Sequence, residues 1–203
     1  MRLISTAMCA QEGSEVGRVL SPLQLAVRIT DGTCIIAATA QATFTHGQNG
    51  GQYGDILKTD IKNACGSVLR KYAPGLVRWF IISYGGPTRL FHSVHGFVGW
   101  VREGVKQGDP MATILFAVAL QESIIRINEH VRNMHDDAPT ARAWAFADDI
   151  DLQGDGERLL DGINHYKGII RALTGMELCL PKCTLLVSGH VSEAVQNKAA
   201  ALL

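Results

Sequence analysis

Three aspartates carry the strongest chemical suggestion in this sequence. Asp148 and Asp149 are adjacent and lie between apolar runs, and Asp60 closes an alternating stretch that begins at Asp55. Carboxylates held close together raise each other's pKa, so a cluster of three is costly unless cations offset the repulsion. Magnesium suits that task, because it prefers hard oxygen ligands and usually takes one or two carboxylates together with substrate phosphates. Two such ions can activate an attacking oxygen and stabilise a leaving one, which is the chemistry of phosphoryl transfer. Taken alone, Asp148-Asp149 reads better as an acidic turn, since aspartate is common in turns. Asp151 shares an extended-strand face with Asp149 and is read as solvent-facing.

The elements that must position these residues follow from periodicity and punctuation. A short helix is expected near the start, then a break at Ser21-Pro22, then a helix compatible with Gly32 to Phe44. The Gly-rich stretch His46 to Gly54 reads as a loop. Asp55 to Ile61 alternates as a strand, with Ile56 and Leu57 as its apolar body. Ala64 to Tyr84 is helical, interrupted near Pro74 and closed by Gly85-Gly86-Pro87. Thr88 to Val101 predicts two short strands around His95-Gly96. A longer helix begins at Pro110, capped by Asp109, and runs to about His130. Ala143 to Gln153 reads as a tight hairpin with Asp148-Asp149 at its tip. An amphipathic helix over Glu157 to Leu173 stops at Thr174-Gly175, and a last strand pair covers Met176 to Val187 with Pro181-Lys182 between its arms. The order implies an α+β fold, with helices on one face of a small antiparallel sheet. In that sheet the first strand and the hairpin can lie side by side, which brings the three carboxylates to one edge.

The blocks around the aspartates change the weight of the acidic turn. The hairpin tip reads Phe146-Ala147-Asp148-Asp149-Ile150, and Gly104-Val105-Lys106-Gln107-Gly108-Asp109-Pro110 opens the long helix upstream. Before it comes Leu57-Lys58-Thr59-Asp60-Ile61-Lys62-Asn63-Ala64, and after it Gly175-Met176-Glu177-Leu178 leads to Pro181-Lys182-Cys183. In this order the four blocks resemble palm motifs A, B, C and D of the reverse transcriptases of non-LTR (LINE-type) retrotransposons, with group II intron enzymes as more distant relatives. The likeness runs from about Leu57 to Leu186. A weaker match at Pro22-Leu23-Gln24-Leu25, followed by Gly32, is similar to the segment that precedes motif A in that family.

The resemblance implies a polymerase palm acting as an RNA-directed DNA polymerase, with an RNA template, a DNA primer and dNTPs as its partners. It implies two magnesium ions, with manganese as a substitute, held by Asp60 and Asp148 and assisted by Asp149. Gln107 and Gly108 are expected to line the nucleotide and template pocket, and a helix N-terminus suits a phosphate or base there. Lys182 matches the motif D lysine, expected to protonate or neutralise the pyrophosphate leaving group; the competing reading is a solvated turn lysine. Cys65 stands five positions after Asp60, where the family carries a bulky aromatic that blocks a ribose 2′-hydroxyl. A smaller side chain there implies weaker discrimination against ribonucleotides, or a decayed copy. The expected division is partial fingers over 1–54, palm over 55–190 and a tail over 191–203, without a thumb, endonuclease or ribonuclease H counterpart. The chain is therefore expected to be a fragment of a longer polyprotein. The alternative is an inactive palm remnant that binds RNA or a protein partner. Nucleotidyl cyclases share the palm topology, yet have no reason to carry the Gly104–Pro110 block.

Bulk properties set the outer bounds. The 203 residues are 47% hydrophobic and 19% charged, which reads as globular rather than disordered. Nineteen basic residues balance nineteen acidic ones, whereas a self-sufficient duplex binder usually carries surplus cationic charge. Five scattered cysteines argue against a disulfide framework and for an intracellular setting, nucleus or cytoplasm. Cys179 and Cys183 with His190 hint at zinc but lack a fourth ligand at convincing spacing, so buried thiols are expected. The longest apolar run, Met111 to Leu120, is half the length of a bilayer helix, so no membrane partner is expected. Trp79, Trp100 and Trp144 are expected in the core rather than as base-stacking platforms.

Overall fold

In the computed structural model, which describes residues 2–27, 29–59, 61–62, 74–92, 94–101, 109 and 111–203, the chain opens with helices α1 (Arg2–Leu20) and α2 (Gly32–Gln48). Strands β1 (Asp55–Thr59) and β2 (Ile61–Lys62) follow, then a 3-10 turn at Pro74–Leu76 and helix α3 (Val77–Tyr84). Strands β3 (Thr88–His92) and β4 (Gly96–Val101) precede the long helix α4 (Ala112–Met134). The hairpin β5 (Arg142–Phe146) and β6 (Asp149–Gly154) leads to helices α5 (Gly156–Asp161) and α6 (Ile163–Thr174). Strands β7 (Glu177–Leu178) and β8 (Thr184–Leu186) flank a 3-10 turn at Leu180–Lys182, and α7 (Glu193–Leu202) ends the chain. The fold is thus α+β, as expected.

The central sheet has the order β5-β6-β1-β8 with every neighbour antiparallel. Strand alternation sends Leu57, Ala143, Ala145, Ile150 and Leu152 to one face, where they meet Leu120, Ile124, Ile127 and Val131 of α4 and Ile163, Tyr166 and Ile170 of α6 in one buried cluster. Each such fully buried aliphatic side chain contributes about 1.5–3 kcal/mol. A second cluster joins Val16 and Leu20 of α1 to Leu76, Met111, Leu115 and Val118. The first half of α4 lies between the two clusters, which is why its pattern reads as an unbroken apolar run rather than an amphipathic stripe.

Several expectations are corrected. Helices do not cover one face alone: the Thr43 hydroxyl of α2 donates to Gln153 Oε1 at 3.0 Å, and Gln153 alternates to the face opposite Leu152. Ile56 and Gln153 are buried on that second face, and α2 packs against β1 there. The strand pair over Met176 to Val187 does not exist as a pair. β7 binds β2 and β8 binds β1, because the 3-10 turn diverts the chain from one ladder to the next. Trp100 is 50% exposed, with the guanidinium of Arg89 above its ring, rather than in the core; the side chain of Trp79 lies outside the described residues. The helix expected from Glu157 to Leu173 is two helices joined at Gly162, where a Cβ would come within 2.3 Å of the Tyr166 hydroxyl. Gly175, at φ 74, closes α6 in the left-handed conformation that glycine accepts without penalty.

The start of α5 is capped by Asp155, whose side chain accepts the Arg158 N–H at 3.0 Å. Replacing it by alanine leaves that donor to water, so Asp155→Ala is expected to cost about 1 kcal/mol in a urea titration. Among the described residues no helix is long and apolar enough to cross a membrane.

Candidate active site

The sheet register assembles the site's scaffold. Thr59 pairs with Ile150 and Lys58 with both Asp151 and Thr184, so the end of β1, the start of β6 and the start of β8 share one end of the sheet. The side-by-side placement expected of the first strand and the hairpin is therefore present. Asp60 lies outside the described residues, as do Cys65, Gln107 and Gly108. Lys182 belongs to the 3-10 turn that leads into β8 at this same end, and its side chain is exposed.

Asp148 and Asp149 emerge from a very tight turn. Phe146 pairs with Asp149, leaving Ala147 and Asp148 as a two-residue loop. Such loops require positive φ at the first central residue, a place where glycine or asparagine is usual. Here Ala147 holds it, with φ 56. An alanine in that conformation costs on the order of 1–2 kcal/mol, so the surroundings must impose it.

Those surroundings come from a segment more than a hundred residues earlier. Residues Leu23 to Leu25 run beside β5: the Ala145 N–H donates to the Leu23 carbonyl and the Leu25 N–H to the Ala145 carbonyl, both at 2.8 Å. Between them Gln24, 0% exposed, reaches the turn itself. Its Oε1 accepts the Ala147 N–H at 3.0 Å, and its Nε2 donates to the Ala147 carbonyl at 3.3 Å. Both backbone polar groups of the strained residue are thus held by one buried amide, whose Oε1 also accepts the Ala26 N–H at 3.3 Å.

The carboxylates differ in their settings. Asp148 is exposed and, among the described residues, has no hydrogen-bond or ion-pair partner. Asp149 is half-buried, with its Oδ2 3.3 Å from Lys58 Nζ. Asp151 sits across β1 from Lys58 on the same face. Burial raises its carboxyl above the ordinary value; the Lys58 ammonium opposes that rise and the Asp149 charge adds to it. Asp151, expected to face solvent, is instead partly buried. A carboxyl raised on folding holds its proton longer in the native state, so its contribution is full below about pH 3.8, the ordinary value, and is lost as pH rises through the folded value. The stability difference between Asp151→Asn and the parent is therefore expected to move in the variant's favour as pH rises through that window. Urea titrations of both proteins from pH 3 to 7 check this, and a flat difference contradicts it.

Upstream, the long helix starts two residues later than expected, at Ala112, with Met111 as its N-cap residue and no side-chain cap. Asp109 instead braces the approach, its Oδ1 accepting the Met111 N–H at 3.0 Å and its Oδ2 the Tyr84 hydroxyl at 2.6 Å. That second bond ties α3 to the residue that follows Gln107 and Gly108. The Cys183 thiol approaches the Cys179 carbonyl at 3.5 Å, and among the described residues no three metal-binding side chains converge. Of the expected metal ligands, Asp148 stands exposed on the turn, Asp149 is half-buried at the head of β6, and Asp60 is outside the described residues. Asp148 and Asp149 offer the hard oxygens that magnesium prefers.

Sequence reasoning missed Gln24, Lys58 and Tyr84 as contributors. Gln24 lies in the Pro22–Leu25 block noted for its resemblance, but nothing local linked it to Ala147, 123 positions away. Lys58 alternates onto the face of Asp149 and Asp151, and that periodicity was available. No family model and no curated protein matches the sequence.

Proposed function

We propose that this chain is the palm of an RNA-directed DNA polymerase, which adds dNTPs to a primer 3′ end on an RNA template. The observation that carries the reading is the Asp148-Asp149 tip, placed at the same end of an antiparallel sheet as the ends of β1 and β8. The order of the four sequence blocks supports it, with the Gly104–Pro110 block leading directly into α4.

In this reading Asp60 and Asp148 would hold two magnesium ions, or manganese, and Asp149 would assist. The ions would supply activation of the primer 3′ oxygen and charge stabilisation on the triphosphate. The new bond joins that oxygen to the α-phosphorus as the bond to the β-phosphate oxygen breaks and pyrophosphate departs. Lys182, in the turn at the same sheet end, is suited to meet the negative charge that develops on pyrophosphate. Lys58 holds part of the charge of Asp149 and Asp151 between turnovers. Gln107 and Gly108 would contact the nucleotide and template, and Cys65 would border the sugar.

A second reading is an inactive remnant that binds RNA or a protein partner. The Lys58–Asp149 ion pair favours it, because a carboxylate already neutralised has less need of a metal. Primer extension on a homopolymer RNA template with magnesium separates the two. Templated incorporation of dNTPs supports the enzyme; a folded chain that incorporates none, even with manganese, leaves the remnant.

A further inference from the structure

The buried amide of Gln24 is placed to do more than satisfy a turn. Ala147 immediately precedes Asp148, so its backbone angles set the direction in which both carboxylates leave the hairpin. The two-residue turn has no glycine to make positive φ easy, and the ladder ends at the Phe146–Asp149 pair. What restrains Ala147 from the side is Gln24, through one bond to its N–H and one to its carbonyl. Gln24 is itself held rigidly: the backbone on both sides of it is bonded to Ala145, and its side chain is shielded from solvent. A fully buried side-chain amide that holds both backbone polar groups of one strained residue, and is itself anchored by the Ala26 N–H at 3.3 Å, is a built support rather than a chance contact.

We infer that Gln24 is a positioning residue for metal binding, fixing Ala147 in the left-handed conformation so that Asp148 and Asp149 point jointly at one cation. The inference rests on the polymerase reading only to the extent that Asp148 binds a metal; it does not require turnover. Removing the amide frees Ala147 to relax toward ordinary backbone angles, and the carboxylates then diverge. Groups that orient metal ligands without touching the metal typically change affinity by about 10–100-fold when lost. The Gln24→Met variant keeps the side-chain length and discards the donor and the strong acceptor.

The test is Mn²⁺ binding to the full chain, followed by electron paramagnetic resonance, in the parent and in Gln24→Met, Asp148→Asn and the double variant Gln24→Met with Ala147→Gly. The expected result is a parent site lost in Asp148→Asn and weakened about 10-fold in Gln24→Met. Part of that loss returns in the double variant, because glycine adopts positive φ without a Cβ penalty. Where Gln24→Met does not fold, Gln24→Asn serves, since its amide ends one carbon short of Ala147. A purely structural role lowers the melting temperature but leaves Mn²⁺ affinity at the parent value in a folded variant, and that outcome overturns the inference while the metal site stands. Parent binding that is insensitive to Asp148→Asn overturns the metal site itself and the inference with it.

Discussion

Asp148→Ala is expected to lower templated incorporation at least ~10³-fold while leaving the melting temperature within about 2 °C of the parent. The first half follows from the role proposed for the carboxylate: loss of a group that holds charge at the reacting phosphate is worth about 4 kcal/mol of transition-state stabilisation. The second half follows from the setting. Asp148 is exposed at the turn and has no polar partner among the described residues, so truncating it strands nothing. Surface changes of this kind stay within about 0.5 kcal/mol of stability. Asp149→Ala is the informative companion. Its carboxylate already faces Lys58 at 3.3 Å, so its removal is expected to cost less activity than that of Asp148. Steady-state incorporation by the parent and both variants, beside thermal melts, checks the pair. Equal activity in parent and Asp148→Ala would remove the metal role from the hairpin tip.

His135→Ala is expected to be strongly destabilising although it lies outside the site, costing about 3 kcal/mol and lowering the melting temperature by roughly 6–12 °C for a domain of this size. His135 is 0% exposed at the end of α4. Its Nδ1 lies 2.7 Å from the Val131 carbonyl, and its Nε2 accepts the Asp155 N–H at 2.8 Å. Those partners demand the tautomer with the proton on Nδ1, since a carbonyl only accepts and an N–H only donates. Alanine strands both backbone groups and opens a cavity beside Tyr53, whose ring meets the imidazole edge-on. Because the imidazole bridges the end of α4 to the junction of β6 with α5, the loss is expected to appear as faster amide exchange in both places. A melting temperature changed by less than about 2 °C contradicts this account.

Much of the architecture was legible because local signals and burial agreed. The hairpin over Ala143 to Gln153 announced itself by alternation around a polar tip, and β5 and β6 match it closely. Asp109 followed by Pro110 predicted the start of α4 to within two residues, although the Asp109–Met111 bond lies just before the helix rather than capping it. The strands around His95-Gly96 appear as β3 and β4. The errors share a cause, which is that periodicity describes a segment and not its neighbours. The pattern over Met176 to Val187 contained two strands, yet which strand each would join depends on β1 and β2. Trp100 looked like core because indole is large and apolar, but among the described residues β4 pairs only with β3 and leaves it half exposed.

For the candidate site the division is sharper. The residue types and their order along the chain determined the chemistry to expect: adjacent carboxylates on a hairpin, a strand ending in a third, and a lysine in a later turn. Tertiary structure alone decided that β1, β6 and β8 share one end of the sheet, that Lys58 pairs with Asp149, and that Asp151 is partly buried. It alone decided that Gln24 supports Ala147. The physical reason is that charge and hydrogen bonding act over a few ångströms of space, however many residues of chain lie between the partners. A sequence displays which groups can interact, and only the packed fold brings residues 24 and 147 within 3.0 Å.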